Sequence, residues 1–240
     1  MNKFIFDVDG TLTPSRGKIN PEFADFFLLF CQQNSVYLVT GSDYSKTVEQ
    51  LNERIVNAVS IIFNCSGNEV RVKGNVVKQS TWQLPDLARH WLEGKLKQSK
   101  FVLRTGNHIE ERGGAVNFSV VGRNATLKER RLYVEFDELD QERKKLVDGF
   151  NSTFKDLEAR IGGETGIDIY EKGKDKSQIL EHFKSGDRLY FFGDKMSEDG
   201  NDYPLAQEIK KRNRGVGIEV TDWRFTFETL QFYQEARIAA

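Results

Sequence analysis

Short apolar runs of strand length recur near both ends of this chain, and helical patterns separate them. The runs are Lys3–Asp7, Val36–Thr40, Ser60–Asn64, Arg188–Phe192 and Gly215–Val220. The helical patterns cover residues 21–33, 43–54, 202–212 and 223–234. Apolar runs that end in turn residues are typical of buried parallel strands, and their alternation with helices predicts right-handed crossovers. The two ends of the chain therefore predict an α/β fold with a parallel sheet.

The middle of the chain follows a different pattern, in which short alternating strands mix with longer helices. Strands are predicted at 101–104, 109–112, 115–121 and 166–170, and helices at 85–98, 140–160 and 176–183. A mixture of this kind favours a separate α+β layer. We therefore predict a discontinuous core of residues 1–81 and 184–240, which includes a hairpin at 69–78, and an inserted α+β cap domain of residues 82–183.

Charge and cysteine content narrow the classes of function. The 240 residues carry a formal net charge of −1, which gives no bulk attraction to nucleic acids or membranes. No apolar run approaches the ~20 residues of a membrane span, and Cys31 and Cys65 are too few for a disulfide framework. Because the chain starts directly on a strand pattern, we expect no signal peptide. We therefore expect a cytoplasmic protein with no nucleic-acid partner and no membrane partner.

Carboxylates follow the predicted strands at the points where parallel strands of one sheet end together. Asp7 and Asp9 follow the first strand, and Asp194 follows the strand at 188–192. Ligands of open α/β sheets bind at these strand ends. Carboxylate and amide oxygens suit Mg²⁺, which takes few protein ligands and keeps waters and phosphate oxygens. We predict a metal site formed by Asp7, Asp9, Asp194, Asn201 and Asp202.

A nucleophile beside a metal predicts phosphoryl chemistry at the same place. Asp7 is placed to attack phosphorus and form an aspartyl phosphate. Asp9, further along the turn, is placed to give and take the proton. Lys176, with Lys195 as the weaker alternative, is placed to neutralise the transferring phosphoryl group, for which electrostatics and positioning supply most of the catalysis.

The second strand ends in Thr40, Gly41 and Ser42, which predict a phosphate site. The Thr40 hydroxyl and the N-terminus of the next helix, capped by Ser42, are placed to hold phosphate oxygens. Calcium loops also begin with Asp-x-Asp-Gly, but here the third ligand position is Thr11 and a strand precedes the motif in place of a helix. Phosphoryl chemistry is therefore favoured over calcium binding.

These motifs resemble those of the haloacid dehalogenase (HAD) superfamily of phosphotransferases, and a longer resemblance to the eukaryotic-type phosphomannomutases runs over nearly the whole chain. It is carried by Phe6–Thr13, Arg16, Gly41–Asp43, Gly106–Arg112, Asn117–Ser119, Gly122–Arg123, Glu129–Arg130, Gly162–Glu164, Asp168, Asp175–Lys176, Tyr190–Lys195 and Gly200–Asp202. The resemblance implies an HAD-like Rossmannoid core with a mobile cap. It also implies Mg²⁺-dependent interconversion of mannose 6-phosphate and mannose 1-phosphate through a hexose 1,6-bisphosphate, and a homodimer formed through the caps.

The resemblance further implies roles for residues of the cap. A hexose bisphosphate carries two phosphates, and since only one can lie at Asp7, the other needs its own site. The planar fork of arginine binds phosphate with two hydrogen bonds. By resemblance, the residues of the distal site are Arg112, Arg123 and Arg130 for the phosphate, Arg16 at the hinge side, and Asp168 for the sugar hydroxyls.

Two positions depart from the family pattern. Gly166 stands where the family has a serine two residues before the sugar-binding aspartate, and the adjacent Thr165, in a strand, would point to the opposite face. Thr40 stands where the mutases usually carry glycine, and here the chain resembles sugar-phosphate phosphatases of the superfamily. A Mg²⁺-dependent sugar-phosphate phosphatase is therefore an open alternative. A non-catalytic sugar-phosphate-binding protein is another, which the nucleophile at Asp7 disfavours.

Overall fold

A seven-stranded sheet built from both ends of the chain is the main element of the fold. The computed structural model describes residues 1–238, with side chains through residue 236. Its strands are β1 (Asn2–Phe6), β2 (Ser35–Val39), β3 (Ile61–Asn64), β4 (Glu69–Val72), β5 (Asn75–Gln79), β6 (Ile109–Arg112), β7 (Ala115–Phe118), β8 (Leu157–Gly162), β9 (Gly166–Glu171), β10 (Arg188–Gly193) and β11 (Gly215–Glu219). The sheet has the order β11-β10-β1-β2-β3-β4-β5, in which the first five strands are parallel and the last two form an antiparallel edge.

Helices cover both faces of this sheet. The helices of the described residues are α1 (Pro21–Gln33), α2 (Tyr44–Ala58), α3 (Asp86–Gln98), α4 (Leu127–Asp140), α5 (Glu142–Thr153), α6 (Tyr203–Lys211) and α7 (Trp223–Ile238). On one face, α1, α2 and α7 pack on Phe4, Phe6 and Phe192. On the other face, α6 and the 3₁₀ segment Lys176–His182 pack on Ile5 and Phe191. Burial on both faces explains why the central strands β1, β2 and β10 carry continuous apolar runs.

A four-stranded antiparallel sheet forms a second layer with its own core. Its order is β6-β7-β9-β8. Helices α3, α4 and α5 pack on it through Leu92, Tyr133 and Phe150, which form an apolar cluster with Phe118 and Ile169 of the strands. This cluster is separate from those of the seven-stranded sheet. The predicted fold class, a parallel-sheet core with an α+β cap, is therefore confirmed.

Two predictions for the middle of the chain are wrong, and one helix there was not predicted. Residues 101–104 form no strand in the described structure, because Phe101 packs into the apolar cluster and Arg104 instead bonds the carbonyl of Leu96 at 3.0 Å. Only the first half of the predicted helix at 140–160 is helical, as α5, because residues 157–162 form strand β8 and pair with β9. Helix α4 is not predicted at all, because its buried face carries Arg130 and Asp137 beside a single aromatic residue and so shows no apolar stripe.

The packing of one segment bears on where the cap ends. Lys176–His182, which the predicted division places in the cap, packs Ile179 and Leu180 into a cluster of the seven-stranded sheet. Residues 239–240, at the end of the predicted core, lie outside the described residues. Within the described part of the chain, no helix is both long and apolar enough to cross a membrane. We propose that the inserted cap ends before Asp175, ahead of the boundary predicted at residue 183.

Candidate active site

The site begins where three neighbouring parallel strands end. Phe6 of β1 pairs in register with Phe192 of β10 and with Leu38 of β2, so the residues that follow these strands lie at one edge of the sheet. Backbone hydrogen bonds continue past the strands, with the amide of Asp7 donating to Phe192 at 2.9 Å and that of Thr40 to Phe63 at 2.9 Å. The four-stranded sheet faces this edge, and the cleft between them is lined by residues of both layers.

An acidic cluster lies at the centre of this edge. Carboxylate oxygens of Asp7, Asp194 and Asp202 lie within 4.8 Å of one another. The ammonium of Lys176, which is 1% exposed, bonds Asp7 Oδ1 at 2.8 Å and Asp202 Oδ1 at 2.7 Å. Lys195 pairs with Asp194 at 3.0 Å from a more exposed position. Lys176, the first choice of the sequence prediction, is thus the cation buried among the carboxylates.

Burial controls the protonation of this cluster. It raises the pKa of Asp7 well above its ordinary value; Lys176 opposes the rise, and the carboxylates of Asp202 and Asp194 add to it. Burial likewise raises the pKa of Asp194 to about 6, against the effect of Lys195. Burial would lower the pKa of Lys176, but the carboxylates of Asp202 and Asp7 outweigh it and raise that pKa. Only Lys176 and Lys195 supply positive charge to the three carboxylates. Ionisation of all three carboxylates at once is therefore unfavourable without a further cation.

The donor set fits a hard divalent cation. Oxygen ligands from two or three carboxylates suit Mg²⁺-like ions, and such an ion would supply the charge that Asp7, Asp194 and Asp202 lack. Gly10 has φ +80°, and a Cβ there would lie 2.5 Å from Asp194 Oδ2, so the turn after β1 leaves room for that carboxylate. Among residues 1–236, the carboxylate of Asp9 lies outside this cluster, and its place among the metal ligands stays a prediction.

Three hydrogen bonds fix the Asp9 side chain. Its Oδ1 accepts from the Arg16 amide at 2.6 Å and from Gln50 Nε2 at 2.9 Å, and its Oδ2 accepts from Ser42 Oγ at 3.3 Å. Arg16 has a left-handed φ of 56°, which turns its amide toward Asp9. Gln50 also bonds Thr13 Oγ1 at 3.2 Å. Gln50 is a site residue that the sequence reasoning missed, because a glutamine inside α2 carries no local signal.

The turn after β2 differs in detail from its prediction. Asp43, and not Ser42, caps α2, accepting from the Lys46 amide at 2.8 Å. Ser42 is free to bond Asp9, while its amide donates to Thr40 Oγ1 at 3.1 Å. The carbonyl of Gly41 accepts from Arg112 Nη1 of the opposite layer at 2.8 Å. Thr40, Gly41 and Ser42 all line the cleft, as a phosphate site requires.

The predicted arginines of the cap meet on the opposite wall of the cleft. Arg112 and Arg123 share Glu110, with Arg112 Nε at 2.7 Å and Arg123 Nη2 at 3.0 Å from Glu110 Oε2. Arg16 reaches across from the core and donates to the Arg123 carbonyl at 3.2 Å. Burial, and next the positive charges of Arg123 and Arg130, lower the pKa of Arg16 to about 10. This cationic wall suits a dianion such as a phosphate monoester.

Arg130 and Thr165 form the deepest part of this wall. Arg130 Nη1 donates to Thr165 Oγ1 at 3.0 Å, and Nη2 to Glu164 at 3.2 Å. Thr165 precedes β9, whose first residue is Gly166, so strand alternation does not govern its side chain. The prediction that Thr165 points to the opposite face is therefore wrong, since its hydroxyl bonds a residue of the cleft.

Asp168 links the cap to the loop after β10. Its Oδ1 accepts from Asn117 Nδ2 at 2.8 Å, and its Oδ2 from Asn201 Nδ2 at 3.0 Å. Asn117 Oδ1 in turn accepts from Arg123 at 3.0 Å. The Asn201 amide nitrogen thus faces the cap, although Asn201 is predicted as a metal ligand. Asn117 belongs to the segments that carry the family resemblance, but no role was predicted for it.

Solved structures with the same architecture define the class of the fold. The C-terminal domain of trehalose-6-phosphate phosphatase from C. albicans has a TM-score of 0.61 and 16% identity, covering 96% of this chain and 91% of that one. A sugar phosphatase of HAD subclass IIB has a TM-score of 0.59 and 13% identity, covering 98% of this chain and 99% of that one. These likenesses show that the molecule has the HAD fold.

Sequence comparison places the chain in one family of this class. The family profile described as eukaryotic phosphomannomutase matches residues 23–233. Phosphomannomutase from Galdieria sulphuraria is 32% identical over 240 residues, covering 95% of this chain and 92% of its own length. Phosphomannomutase 1 from Mus musculus is 34% identical over 229 residues, covering 90% of this chain and 86% of its own length. The chain therefore belongs to the eukaryotic phosphomannomutase family of enzymes, which supports the mutase over the phosphatase alternative.

Proposed function

We propose that this enzyme interconverts mannose 6-phosphate and mannose 1-phosphate through a hexose 1,6-bisphosphate, with Mg²⁺ at the carboxylates of Asp7, Asp194 and Asp202. The observation that carries the proposal is the arrangement of the cleft, in which an acidic cluster faces a wall of cap arginines. A substrate with a phosphate at each end suits these two poles, because one phosphate can react while the other is held.

Asp7 is the nucleophile in this scheme. One carboxylate oxygen attacks phosphorus of the bisphosphate, the bond from phosphorus to the sugar oxygen breaks, and that oxygen takes a proton from Asp9. For the return transfer, Asp9 takes the proton of a sugar hydroxyl, whose oxygen attacks phosphorus of the aspartyl phosphate. The bond from phosphorus to the Asp7 oxygen breaks, and the Asp7 carboxylate is restored. When bound, Mg²⁺ supplies positive charge that favours the ionised form of Asp7. Lys176 holds Asp7 and Asp202 from its buried position.

The cap completes the reaction by holding the other end of the sugar. The intermediate must turn between the two transfers so that each of its phosphates meets Asp7. Arg112, Arg123 and Arg130 bind whichever phosphate is distal, Arg16 closes the hinge side, and Asp168 accepts hydrogen bonds from the sugar hydroxyls. The closed cleft keeps water from the aspartyl phosphate during the turn.

Initial rates on mannose 6-phosphate test this proposal. The reaction contains Mg²⁺ and a catalytic amount of glucose 1,6-bisphosphate, and each sample is assayed for mannose 1-phosphate and for inorganic phosphate. We expect mannose 1-phosphate to form faster than phosphate is released, and its rate to fall without the bisphosphate or after chelation of the metal. Phosphate release without mannose 1-phosphate would instead assign a phosphatase. A parallel series on glucose 1-phosphate compares the two sugars.

We also propose a homodimer formed through the caps, and a cytoplasmic location. Leu127, Leu132 and Leu139 of α4 are exposed apolar side chains of the cap, which supports a partner surface there. Light scattering after size-exclusion chromatography measures the mass, and twice the chain mass of 27.6 kDa is expected. Substitution of Leu139 by Glu is expected to shift the protein to the monomer mass, and an unchanged dimer in that variant would exclude this surface.

A further inference from the structure

Thr165 is a buried hydroxyl at the distal end of the cleft with no role in the scheme above. It is 3% exposed and lines the cleft beside Arg130. Its carbonyl oxygen accepts from Ser119 Oγ at 3.0 Å, which fixes the backbone at this position. Its Oγ1 accepts from Arg130 Nη1 at 3.0 Å. Because that bond uses Oγ1 as an acceptor, the hydroxyl proton is available for a second, anionic partner.

Arg130 has unused hydrogen-bonding capacity at the same point. The residue is 4% exposed, and within the described side chains its Nε has no hydrogen-bond partner. Its Nη2 pairs with Glu164, a side chain that is 47% exposed and so able to move away. Movement of Glu164 would free Nη2, and a buried charged donor without a partner is costly unless a ligand satisfies it. The Thr165 hydroxyl and the Arg130 guanidinium therefore lie together at the wall of the cleft, where a phosphate could take the place of Glu164.

The neighbouring position explains why the hydroxyl is at residue 165. A Cβ on Gly166 would lie 2.7 Å from Asn117 Nδ2, closer than side-chain atoms approach. Asn117 cannot move freely, because it bonds both Asp168 and Arg123. A side chain at residue 166 would disturb that pair of contacts, whereas the side chain of Thr165 bonds Arg130.

We propose that Thr165 donates its hydroxyl proton in a hydrogen bond to the distal phosphate of the substrate and acts with Arg130 as a phosphate-binding pair. The proposal rests on the proposed function, since it assigns a donor to the second phosphate of the same substrate. It makes Thr165 a determinant of affinity for sugar phosphates that carry a distal phosphate. Thr165 has no effect on phosphate esters that lack one.

Two variants that differ by one hydroxyl test this role. Thr165→Val removes the hydroxyl and keeps the shape, and Thr165→Ser keeps the hydroxyl. Binding of glucose 1,6-bisphosphate is measured by calorimetry in the Asp7→Asn background, where no phosphoryl group can be transferred. We expect Thr165→Val to raise the dissociation constant about tenfold, which is the usual effect of losing one hydrogen bond to a charged group. The dissociation constant of Thr165→Ser should stay within about twofold of that with Thr165.

Catalytic measurements with Asp7 intact complete the test. Thr165→Val is expected to raise KM for mannose 1-phosphate by a similar factor with little change in kcat. Its circular dichroism spectrum and melting temperature check that it folds like the wild type. Binding by Val within twofold of Thr, or an equal loss in Ser and Val, would overturn the role of the hydroxyl. Failure of the mutase proposal would be seen separately, because it would appear in the wild-type assay as release of inorganic phosphate without interconversion of the sugar phosphates.

Discussion

At the scale of single residues, burial and the nearest partner decide the state of each charged group. Asp7 is 5% exposed and shares the Lys176 ammonium with Asp202. Asp9, two residues later, bonds neutral donors and the Ser42 hydroxyl instead. The two carboxylates of one short motif therefore have different environments, as the proposed roles of nucleophile for Asp7 and proton carrier for Asp9 require.

Substitution of the nucleophile gives the first prediction. Asp7→Asn removes the attacking oxygen while keeping the shape, so kcat is expected to fall about a thousandfold or more. Stability is expected to change little, because the variant also removes one of three crowded carboxylates. Circular dichroism and the melting temperature check the fold. Asp148→Asn, on an exposed face of α5, is the matched control and should keep full activity.

Truncation of the deepest cap arginine gives the second prediction. Arg130→Ala is expected to raise KM for mannose 1-phosphate at least about tenfold, because a charged donor pair to phosphate is lost. Hydrolysis of p-nitrophenyl phosphate should change much less, since that ester has no distal phosphate. Arg131→Ala alters the exposed neighbour of Arg130 and serves as the control. Equal losses on both substrates would remove Arg130 from the distal site.

The third prediction concerns Gly166, one of the two positions that depart from the pattern of the family resemblance. Gly166→Ser places a Cβ against Asn117 Nδ2, and the amide must shift away from Asp168. We therefore expect a several-fold rise in KM for mannose 1-phosphate, although the resemblance implies serine at this position. Gly166→Ala adds the Cβ without the hydroxyl and so distinguishes the effect of each on KM. Tighter substrate binding in Gly166→Ser than in the wild type would contradict this, because it would show that Asn117 can move away from the new side chain without weakening the site.

At the scale of elements, the sequence predicts what local pattern determines and misses what distant contacts determine. The parallel strands and the residues at their ends follow from apolar runs that stop at polar residues, so Asp7, Thr40 and Asp194 are found at one edge. Strand β8 depends on pairing with β9, which the pattern of residues 140–160 does not reveal. Gln50 and Asn117 join the site only through contacts with residues far along the chain.

Helix α4 supplies the fourth prediction. Thr126 and Glu129 form a reciprocal capping box at its start, and Arg130 lies in the first turn. Thr126→Ala removes the cap and is expected to lower the free energy of unfolding by about 1 kcal/mol. Thr126→Ser keeps the hydroxyl and should behave like the wild type. Urea unfolding followed by circular dichroism measures the difference, and identical midpoints for Ala and Thr would show that the cap contributes nothing.

At the scale of the whole molecule, the two layers are closed over the cleft by contacts between site residues. Arg112 donates to the Gly41 carbonyl at 2.8 Å, Arg16 to the Arg123 carbonyl at 3.2 Å, and Asn201 to Asp168 at 3.0 Å. The strand-end residues were predictable one by one, but this closure depends on how two separately packed layers meet. It matters for the chemistry because an aspartyl phosphate that meets water is hydrolysed.

The fate of the phosphoryl group on Asp7 tests the central claim most directly. Phosphorus NMR follows mannose 1-phosphate with the enzyme, Mg²⁺ and a catalytic amount of glucose 1,6-bisphosphate, and resolves mannose 6-phosphate from inorganic phosphate in one sample. We predict that the signal of mannose 6-phosphate grows to equilibrium while inorganic phosphate stays a minor product. Growth of inorganic phosphate in place of mannose 6-phosphate would contradict the account, because the phosphoryl group would then pass to water and not to sugar.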